Sequence, residues 1–404
     1  MKAGWQTKKL RDVCVTIQDG AHESPQRQFD SPGKGRFLYI TSKNIRNNCL
    51  DLGNVSYVEE DFHNRIYPRC KPSVGDVLLT KDGANTGNVT LNTLDEPFSL
   101  LSSVCLIKTK PDALKPGFLS YYIQSPDGLE SITGQMTGAA IKRIILRDIK
   151  LAPIPIPPLS EQRRIVGILD EAFDGLARAT ANAEQNLRNA RALFESHLQS
   201  VVTQRGEGWV DRKLDSLCRE ITVGYVGPMA SEYTDTGVTF LRSQNIRPFH
   251  VSLENVLSIS REFDVKIAKS RLRPGDVAVV RTGYPGTAAV IPASLPKANC
   301  ADLVIVRPGS EVEPQFLAAF FNSSYGKLHV SGKVVGAAQK HFNVGAAKET
   351  VLHLPPLQDQ RRIIVKFNAL AAETQRLESI YQQKLAALGE LKKSLLHEAC
   401  SGKL

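Results

Sequence analysis

The chain has 404 residues with 51 basic and 41 acidic side chains, and its formal net charge is +10. The length suits roughly two or three domains, and an apolar fraction of 42% with 23% charged residues is typical of globular proteins, which excludes disordered and collagen-like chains. The basic balance favours a polyanionic partner, and no apolar stretch is long enough to cross a bilayer, so we expect no membrane segment.

Residues 1–156 are rich in glycine, proline and short β-branched runs, which is typical of short strands joined by turns. Gly75 and Asp76 precede the apolar run Val77–Thr80, a pattern that predicts a turn leading into a strand. A helical pattern follows over residues 118–123. We therefore predict that residues 1–156 form a mixed α/β (α+β) globular domain.

Residues 157–207 predict a single long helix. Prolines stop after Pro158, and from Ile165 onwards apolar residues recur in alternating steps of three and four, which is typical of a coiled-coil seam. Ser160 or Glu161 can cap the start of this helix. At 1.5 Å per residue, a helix of about 44 residues is about 65 Å long.

Residues 208–354 repeat the first domain, because motifs of the first half return in the same order in the second. The offset falls steadily from 204 residues at Gly4 and Gly208 to 198 residues at Pro157 and Pro355, as loop-length differences between two copies of one fold would produce. We therefore predict a second α/β domain over residues 208–354. The repeated motifs include Gly4-Trp5 and Gly208-Trp209, Ser42-Lys43-Asn44-Ile45-Arg46 and Ser243-Gln244-Asn245-Ile246-Arg247, and Gly75-Asp76-Val77 and Gly275-Asp276-Val277.

Residues 355–404 predict a second long helix with a seam of the same kind. Asp359 places a carboxylate in its first turn, where it complements the helix dipole. A helix of this length with one apolar stripe needs a partner. The simplest partner is the other long helix of the same chain, and the two would form an antiparallel coiled coil. The alternatives are that each stripe packs on its own domain or on another chain.

Catalytic signatures are missing from the sequence. It has no P-loop, no glycine fingerprint between a strand and a helix, and no Asn-Pro-Pro-Tyr/Phe tetrapeptide, to which Asp95-Glu96-Pro97-Phe98 comes closest. The seven cysteines lack CxxC spacing and the eight histidines form no HExxH. We expect no catalytic residue and no metal site in this chain, and reduced thiols in the cytoplasm.

The nine residues that open each long helix carry a family resemblance. They read Pro157-Pro158-Leu159-Ser160-Glu161-Gln162-Arg163-Arg164-Ile165 in the first copy and Pro355-Pro356-Leu357-Gln358-Asp359-Gln360-Arg361-Arg362-Ile363 in the second. Together with the repeated Ser-[Lys/Gln]-Asn-Ile-Arg and Gly-Asp-Val segments, they make the chain resemble the specificity (S) subunits of type I restriction–modification systems, the HsdS family. The resemblance covers the whole chain in the expected order of domain, helix, domain and helix.

This resemblance implies a non-catalytic subunit that recognises double-stranded DNA. Each globular domain would read one half of a bipartite, asymmetric sequence, and the antiparallel coiled coil would set the spacer between the halves. It also implies docking of two modification subunits, which use S-adenosylmethionine to methylate adenine, and of two restriction subunits, which need ATP and Mg²⁺. None of these cofactors would bind this chain.

Two other classes of protein stay open at this point. A self-contained restriction–modification enzyme would transfer methyl groups without a partner, although the missing motifs argue against it. A coiled-coil adaptor would bind only protein and would leave no sequence-dependent footprint on DNA.

Residues for base contact are chosen as polar side chains on predicted loops, because asparagine, glutamine, arginine, lysine, serine and threonine match the donors and acceptors of the DNA grooves. For Asn44 and Asn245, which occupy the same place in the two copies, capping of a turn is an equal alternative. The predicted DNA-binding residues are Ser42, Lys43, Asn44, Lys81, Asp82, Asn85, Thr86, Thr137, Lys142 and Arg143 in the first domain and Arg242, Ser243, Gln244, Asn245, Arg281, Thr282, Tyr284, Thr287, Gln339, Lys340 and His341 in the second.

Divergence between the copies is large in residues 18–38 against 222–239 and in residues 81–98 against 281–298. Because a reader of two different half-sites must differ where it contacts bases, we interpret these segments as base-reading or groove-facing loops. Further candidates within them are His22, Ser24 and Tyr225.

Four arginines at the helix starts oppose the helix dipole, so something must compensate their charge. Our hypothesis is contact with a partner subunit or with a DNA phosphate, and the alternative is a salt bridge to a nearby acidic side chain. These predicted partner-binding residues are Arg163, Arg164, Arg361 and Arg362.

Overall fold

The predicted strand Val77–Thr80 is the third strand in a four-stranded antiparallel sheet, whose order is Cys14–Asp19, Val104–Thr109, Val77–Thr80 and Val89–Leu91. Successive side chains of a strand point to opposite faces. Val77 and Leu79 therefore join one buried cluster, and Leu78 joins another on the opposite face. Because both faces of the sheet are covered, this strand reads as a continuous apolar run and not as an alternating one.

The computed structural model describes residues 4–134, 143–295, 297–331 and 342–404. It divides into two units. The first unit comprises Met1–Ala183 and Gln383–Leu404, and the second comprises Glu184–Gln382. Each unit therefore holds one globular part and one segment of each long helix.

Among the described residues, the globular part of the first unit contains three further small sheets. In these sheets Arg36–Ile40 pairs with both Ser56–Glu59 and Ser99–Leu100, Ile45–Arg46 pairs with Cys49–Leu50, and Gln6–Lys9 pairs with Pro153–Ile156. The strands are β1 Gln6–Lys9, β2 Cys14–Asp19, β3 Arg36–Ile40, β4 Ile45–Arg46, β5 Cys49–Leu50, β6 Ser56–Glu59, β7 Val77–Thr80, β8 Val89–Leu91, β9 Ser99–Leu100, β10 Val104–Thr109 and β11 Pro153–Ile156. The helices are α1 Glu60–Ile66, α2 Pro116–Gln124, α3 Pro126–Thr133 and α4 Leu146–Leu151, and the long helix α5 is Leu159–Thr203.

The second unit repeats this topology with two additional strands, Tyr233–Thr234 and Arg271–Leu272, which extend its equivalent of the three-stranded sheet to five strands. Its central sheet has the order β13-β23-β20-β21, its hairpin is β16 with β17, and β12 pairs with β24. The strands are β12 Val210–Lys213, β13 Cys218–Val223, β14 Tyr233–Thr234, β15 Val238–Leu241, β16 Ile246–Arg247, β17 His250–Val251, β18 Leu257–Ile259, β19 Arg271–Leu272, β20 Val277–Val280, β21 Ala288–Val290, β22 Ala298–Cys300, β23 Leu303–Pro308 and β24 Val351–Leu354. The helices are α6 Leu214–Leu217, α7 Arg261–Lys266, α8 Pro314–Asn322, α9 Ser324–Ser331 and α10 Val344–Lys348, and the long helix α11 is Leu357–Ser401.

The repeat extends to backbone conformation. Gly75 and Gly275, in the turn before β7 and β20, have φ angles of 85° and 86°. The predicted helical pattern over residues 118–123 lies within α2, and α8 is the equivalent helix of the second unit. The predicted fold class, two α/β copies with two long helices, is therefore confirmed.

The two long helices contain 45 residues each. Asp359 lies in the first turn of α11, as predicted. The predicted cap at Ser160 or Glu161 is wrong, because α5 already begins at Leu159 and the carbonyl of Pro158 accepts a hydrogen bond from the amide of Gln162 at 3.0 Å. Both candidate caps therefore lie inside the first turn.

In the first unit the helix segments run antiparallel. Phe173 of α5 lies beside Lys392 of α11, whose Nζ is 5.2 Å from the ring centroid, and Arg164 donates a hydrogen bond to the main-chain oxygen of Leu404 at 2.6 Å. Increasing number along α5 thus meets decreasing number along α11. Leu169 packs at the same time into the core of the globular part, so the alternative that a stripe packs on its own domain also holds in part.

The second unit shows the same direction. Arg191 of α5 pairs with Glu378 of α11 at 2.7 Å, and further along α5 the ring of Phe194 lies 5.2 Å from that of Phe367. In both units the predicted antiparallel coiled coil is confirmed. Within the described ranges, no helix combines the length and the apolar character that membrane crossing requires.

Candidate nucleic-acid interface

The motif Ser-[Lys/Gln]-Asn forms a single 3-10 turn after β3 in the first copy and after β15 in the second. Asn44 is buried, its Oδ1 accepts the amide of Thr41 at 3.0 Å, and its Nδ2 donates to the carbonyl of Asp51 at 3.0 Å. Asn245 makes the equivalent bonds with the amide of Arg242 and the carbonyl of Ser252, both at 3.1 Å. These contacts support the turn-capping alternative, because both amide groups point into the turn.

The remaining residues of the first turn include an exposed cation. Lys43 is exposed, and its Nζ donates to Ser56 Oγ at 3.1 Å. The amide of Ser42 donates to Ser103 Oγ at 3.1 Å, which ties the turn to the segment that enters β10. The buried asparagine thus fixes the shape of the turn, and the residue before it meets solvent.

The second turn presents different chemistry. Gln244 is exposed, and Arg242 donates to the carbonyl of Asn255 at 3.2 Å while its guanidinium lies 5.8 Å from the ring centroid of Tyr233. The Nε of Arg242 is buried without a hydrogen-bond partner in the described part of the chain. Ser243 and Arg242 line the same surface cavity, which has a volume of about 490 Å³.

A network of charges follows β7 in the first domain. Lys81 and Asp82 are both buried, and Lys81 Nζ lies 3.3 Å from Asp82 Oδ2 and 3.6 Å from Oδ2 of Asp19 at the end of β2. Arg69 pairs with Asp19, and Arg143 pairs with Asp82, each at 2.7 Å. Because buried charges are costly unless they are paired, the network holds the start of this loop in one arrangement.

Asp19 remains charged within this network. Burial acts to raise the pKa of its carboxyl, but the hydrogen bond from Arg69 and the positive charge of Lys81 outweigh that effect and lower the pKa below its ordinary value. The charge of Lys81 is therefore balanced inside the protein. Arg143, whose side chain is 60% exposed, carries positive charge to the surface.

The equivalent loop of the second domain follows β20. Arg281 occupies the place of Lys81, pairs with Asp302 at 3.4 Å, and buries an Nε that has no hydrogen-bond partner among the described residues. Thr282 stands where the first copy has Asp82, so the second copy lacks that carboxylate. Tyr284 is 83% exposed at the tip of the loop.

The other loop candidates are half-buried. Asn85 donates to the carbonyl of Ser42 at 3.4 Å, and Thr86 Oγ1 donates to the carbonyl of Gly83 at 2.7 Å. Thr287 closes the second loop, since its amide donates to the carbonyl of Tyr284 at 3.2 Å. The structure thus joins the first turn directly to the loop after β7, a proximity that the sequence did not reveal.

Five predicted residues lie outside the described part of the chain, and the structure places none of them. They are Thr137, Lys142, Gln339, Lys340 and His341.

The divergent segments are only partly loops. Residues 81–88 and 281–287 are loops, but Val89–Leu91 and Ala288–Val290 are strands of the central sheets. The interpretation of the whole segments 81–98 and 281–298 as base-reading loops is therefore wrong for these strands. Of the further candidates, Ser24 is exposed, Tyr225 is half-buried, and His22 lies 3.0 Å from Asp19.

Three of the four arginines at the helix starts make ion pairs with acidic side chains. Arg164 pairs with Glu161 at 2.7 Å, Arg361 pairs with Glu313 at 2.6 Å, and Arg362 pairs with Asp359 at 3.4 Å. Arg163 is exposed. The contacts support the salt-bridge alternative for those three, while Arg163 is the most open to another molecule.

Two glutamines in the same motif were missed as functional residues. Gln162 is fully buried, accepts the amide of Lys115 at 2.8 Å, and donates to the carbonyl of Ala113 at 3.0 Å. Gln360 is equally buried and accepts the amide of Glu313 at 2.8 Å. Each side chain fastens the start of a long helix to the globular part beside it. Their identical position in the two copies was the signal that could have revealed them.

Comparison with known proteins gives one consistent family. The model of the type I restriction modification DNA specificity domain matches residues 2–187. The chain is 23% identical over 356 residues to the EcoBI specificity subunit of Escherichia coli, covering 81% of this chain and 73% of that protein. It is 22% identical over 420 residues to the MjaVIII specificity subunit of Methanocaldococcus jannaschii, covering 99% of this chain and 93% of that protein.

Solved structures show the same fold. A chain from a study of complex assembly and conformational transition of the type I R-M system has a TM-score of 0.79 and 19% identity, covering 100% of this chain and 99% of that one. The HsdS subunit from Thermoanaerobacter tengcongensis has a TM-score of 0.61 and 20% identity, with coverages of 100% and 98%.

Proposed function

We propose that this chain is an HsdS-type specificity subunit of a type I restriction–modification system, as its similarity to such subunits supports, and that each of its two globular domains reads one half of a bipartite, asymmetric DNA sequence. The chain supplies recognition and leaves the chemistry to its partners. Its DNA-facing surface in each domain consists of the 3-10 turn and the loop after the third strand of the central sheet.

One observation carries this proposal: the two domains share a scaffold but differ in the side chains that the scaffold presents. Asn44 and Asn245 cap equivalent turns with equivalent hydrogen bonds. The exposed residue before each asparagine is Lys43 in the first copy and Gln244 in the second, and the neighbouring loop of the second copy exposes Tyr284. Lysine donates hydrogen bonds to guanine O6 and N7, whereas glutamine pairs with adenine N6 and N7. Equal scaffolds with unequal donors and acceptors suit two different half-sites.

The long helices set the length of the DNA spacer between the two half-sites. Each helix start is fastened to a globular part by a buried glutamine, and each unit contains segments of both helices in antiparallel register. A coiled coil resists bending and slippage because its seam residues interlock. We therefore expect recognition at one spacer length.

The partners follow from the family. The coiled coil docks two modification (methyltransferase) subunits, which bring S-adenosylmethionine, and two restriction (motor and nuclease) subunits join with ATP and Mg²⁺. Arg163, which is exposed, is the helix-start arginine that we assign to partner contact. The chain itself binds no cofactor, and it works in the cytoplasm, where the DNA of a prokaryotic cell is accessible.

The test is to express the chain with its cognate methyltransferase subunit in a host that lacks other adenine methylation, and to sequence the methylome. The proposal predicts one bipartite motif with unequal halves and a single spacer length. The purified chain with S-adenosylmethionine and DNA transfers no methyl group on its own. Methyl transfer by the isolated chain would instead indicate a self-contained enzyme, and a complex without sequence-dependent binding would indicate a protein-only adaptor.

A further inference from the structure

The 3-10 turn of the second domain continues directly into a hairpin. Ser243–Asn245 leads into β16, and the two residues Pro248 and Phe249 connect β16 to β17. The Nδ2 of Asn245 donates to the carbonyl of Ser252 at 3.1 Å, just beyond the hairpin. The amide of Phe249 donates to the carbonyl of Ala288 in β21 at 3.0 Å. Turn, hairpin and central sheet are thus linked, and a shift of the hairpin tip would displace the turn.

Phe249 at the tip has an unusual backbone conformation. Its φ is 67°, in the left-handed region that a bulky side chain rarely adopts. The equivalent residue of the first hairpin is Asn48, with a φ of 62°, and asparagine tolerates this region well. A strained backbone persists only where the surroundings stabilise it, so the phenylalanine side chain must make contacts that compensate for the strain.

Those contacts are with both long helices. The ring centroid of Phe249 lies 4.9 Å from that of Phe367 in α11 and 6.0 Å from that of Phe194 in α5. Phe194 and Phe367 also contact each other, with centroids 5.2 Å apart. Phe367 is buried, and Leu198 and Ala319 complete the cluster. Tilted and edge-to-face aromatic pairs at these distances are favourable and specific in geometry.

The first domain is anchored differently. The Oδ1 of Asn48 accepts a hydrogen bond from Gln124 Nε2 at 2.6 Å, and Gln124 belongs to α2 and not to a long helix. At the position in α5 that corresponds to Phe367, the first unit has Leu169, which is buried in the core of the globular part. The aromatic contact between hairpin and helix pair is therefore a feature of the second unit.

We infer that Phe249 is a positioning residue that holds the DNA-facing turn of the second domain to the two long helices, and so determines which spacer lengths the protein accepts. This inference rests on the proposed function. Phe249 itself does not contact DNA in this account. It acts through the hairpin, by preventing the turn Ser243–Asn245 from moving along the helix segments of its own unit.

The test replaces Phe249 with the residue that the first copy carries, Phe249→Asn. This substitution suits the left-handed backbone and removes only the ring, so the hairpin is expected to keep its shape. Phe249→Tyr keeps the ring and serves as the conservative variant. Val365→Asn, at a 69% exposed position two residues before Phe367, is the matched control for an apolar-to-asparagine change.

Each variant is expressed with the cognate methyltransferase, and the methylome gives both the half-sites and the spacer. For Phe249→Asn we expect both half-sites unchanged, with methylation at spacers one base pair longer or shorter raised at least tenfold relative to the native spacer. Phe249→Tyr and Val365→Asn keep the single native spacer.

An unchanged spacer distribution in Phe249→Asn would overturn the inference. A complete loss of methylation would also overturn it, because Phe249 would then serve general stability and not positioning. If the wild-type chain itself yields no bipartite motif, the proposed function fails, and that result is distinct from either outcome for the variant.

Discussion

At the scale of single residues, buried amide side chains determine where the functional parts lie. Asn44 and Asn245 shape the turns that face DNA in our account, and Gln162 and Gln360 attach the helices to the globular parts. An amide group donates and accepts at the same time, which allows one side chain to satisfy main-chain groups from two segments. This explains why neither lysine nor glutamate could replace them.

We predict that Gln162→Ala destabilises the first unit by about 2–3 kcal/mol, because it removes the hydrogen-bond partner of the amide of Lys115 and of the carbonyl of Ala113, which are both half-buried. Urea denaturation followed by circular dichroism measures the loss as a lower midpoint of unfolding. Gln383→Ala, at an exposed position of the long helix α11 within the same unit, is the control and should change the free energy of unfolding by less than about 0.5 kcal/mol. Equal midpoints for the two variants would contradict the assigned role of Gln162.

At the scale of secondary structure, the sequence predicted the long helices well because their signal is periodic and extends over 45 residues. The strand at Val77–Thr80 was equally visible as an apolar run after a turn. The start of α5 was misplaced because Pro158, which a cap prediction based on Ser160 ignores, supplies the first main-chain acceptor. The residue at which a helix begins depends on a few hydrogen bonds, and these cannot be inferred from composition.

The candidate interface was harder to predict than the helices. The sequence identified polar residues near turns, but it gave no indication that Lys81 is buried between Asp19 and Asp82, since Asp19 lies 62 positions earlier in the chain. It also gave Phe249 no role, because its aromatic partners in α5 and α11 are far away in sequence. A single sequence does not show which residues that are far apart along the chain will contact each other.

We predict that lengthening both long helices by one heptad each changes the spacer and nothing else. Seven residues keep the seam in phase and add about 10 Å of helix, which corresponds to at most about three base pairs at 3.4 Å each. Inserted beside Ala183 in α5 and beside Gln382 in α11, where the two units meet in the chain, the heptads leave both globular parts intact. Methylome sequencing should return the original half-sites with a longer spacer, whereas a changed half-site would contradict the division between helices and domains.

At the scale of the whole molecule, duplication is the organising feature. Two copies of one topology, each with a four-stranded central sheet in the same strand order, carry different side chains on equivalent loops. Under the proposed function, duplication followed by divergence would yield two readers of different half-sites on equivalent scaffolds. A symmetric dimer would read a palindrome, but a single chain with two diverged copies is free to read an asymmetric site.

The most direct measurement exchanges one domain and leaves the other untouched. Residues 1–156 are replaced by the equivalent region of another specificity subunit with a known motif, joined immediately before Pro157, and the methylome of cells that also express the methyltransferase is sequenced. We expect one half-site to change to that of the donor, while the second half-site and the spacer length stay as in the wild type. A change in both half-sites together, or in neither, would contradict the claim that each domain reads its own half.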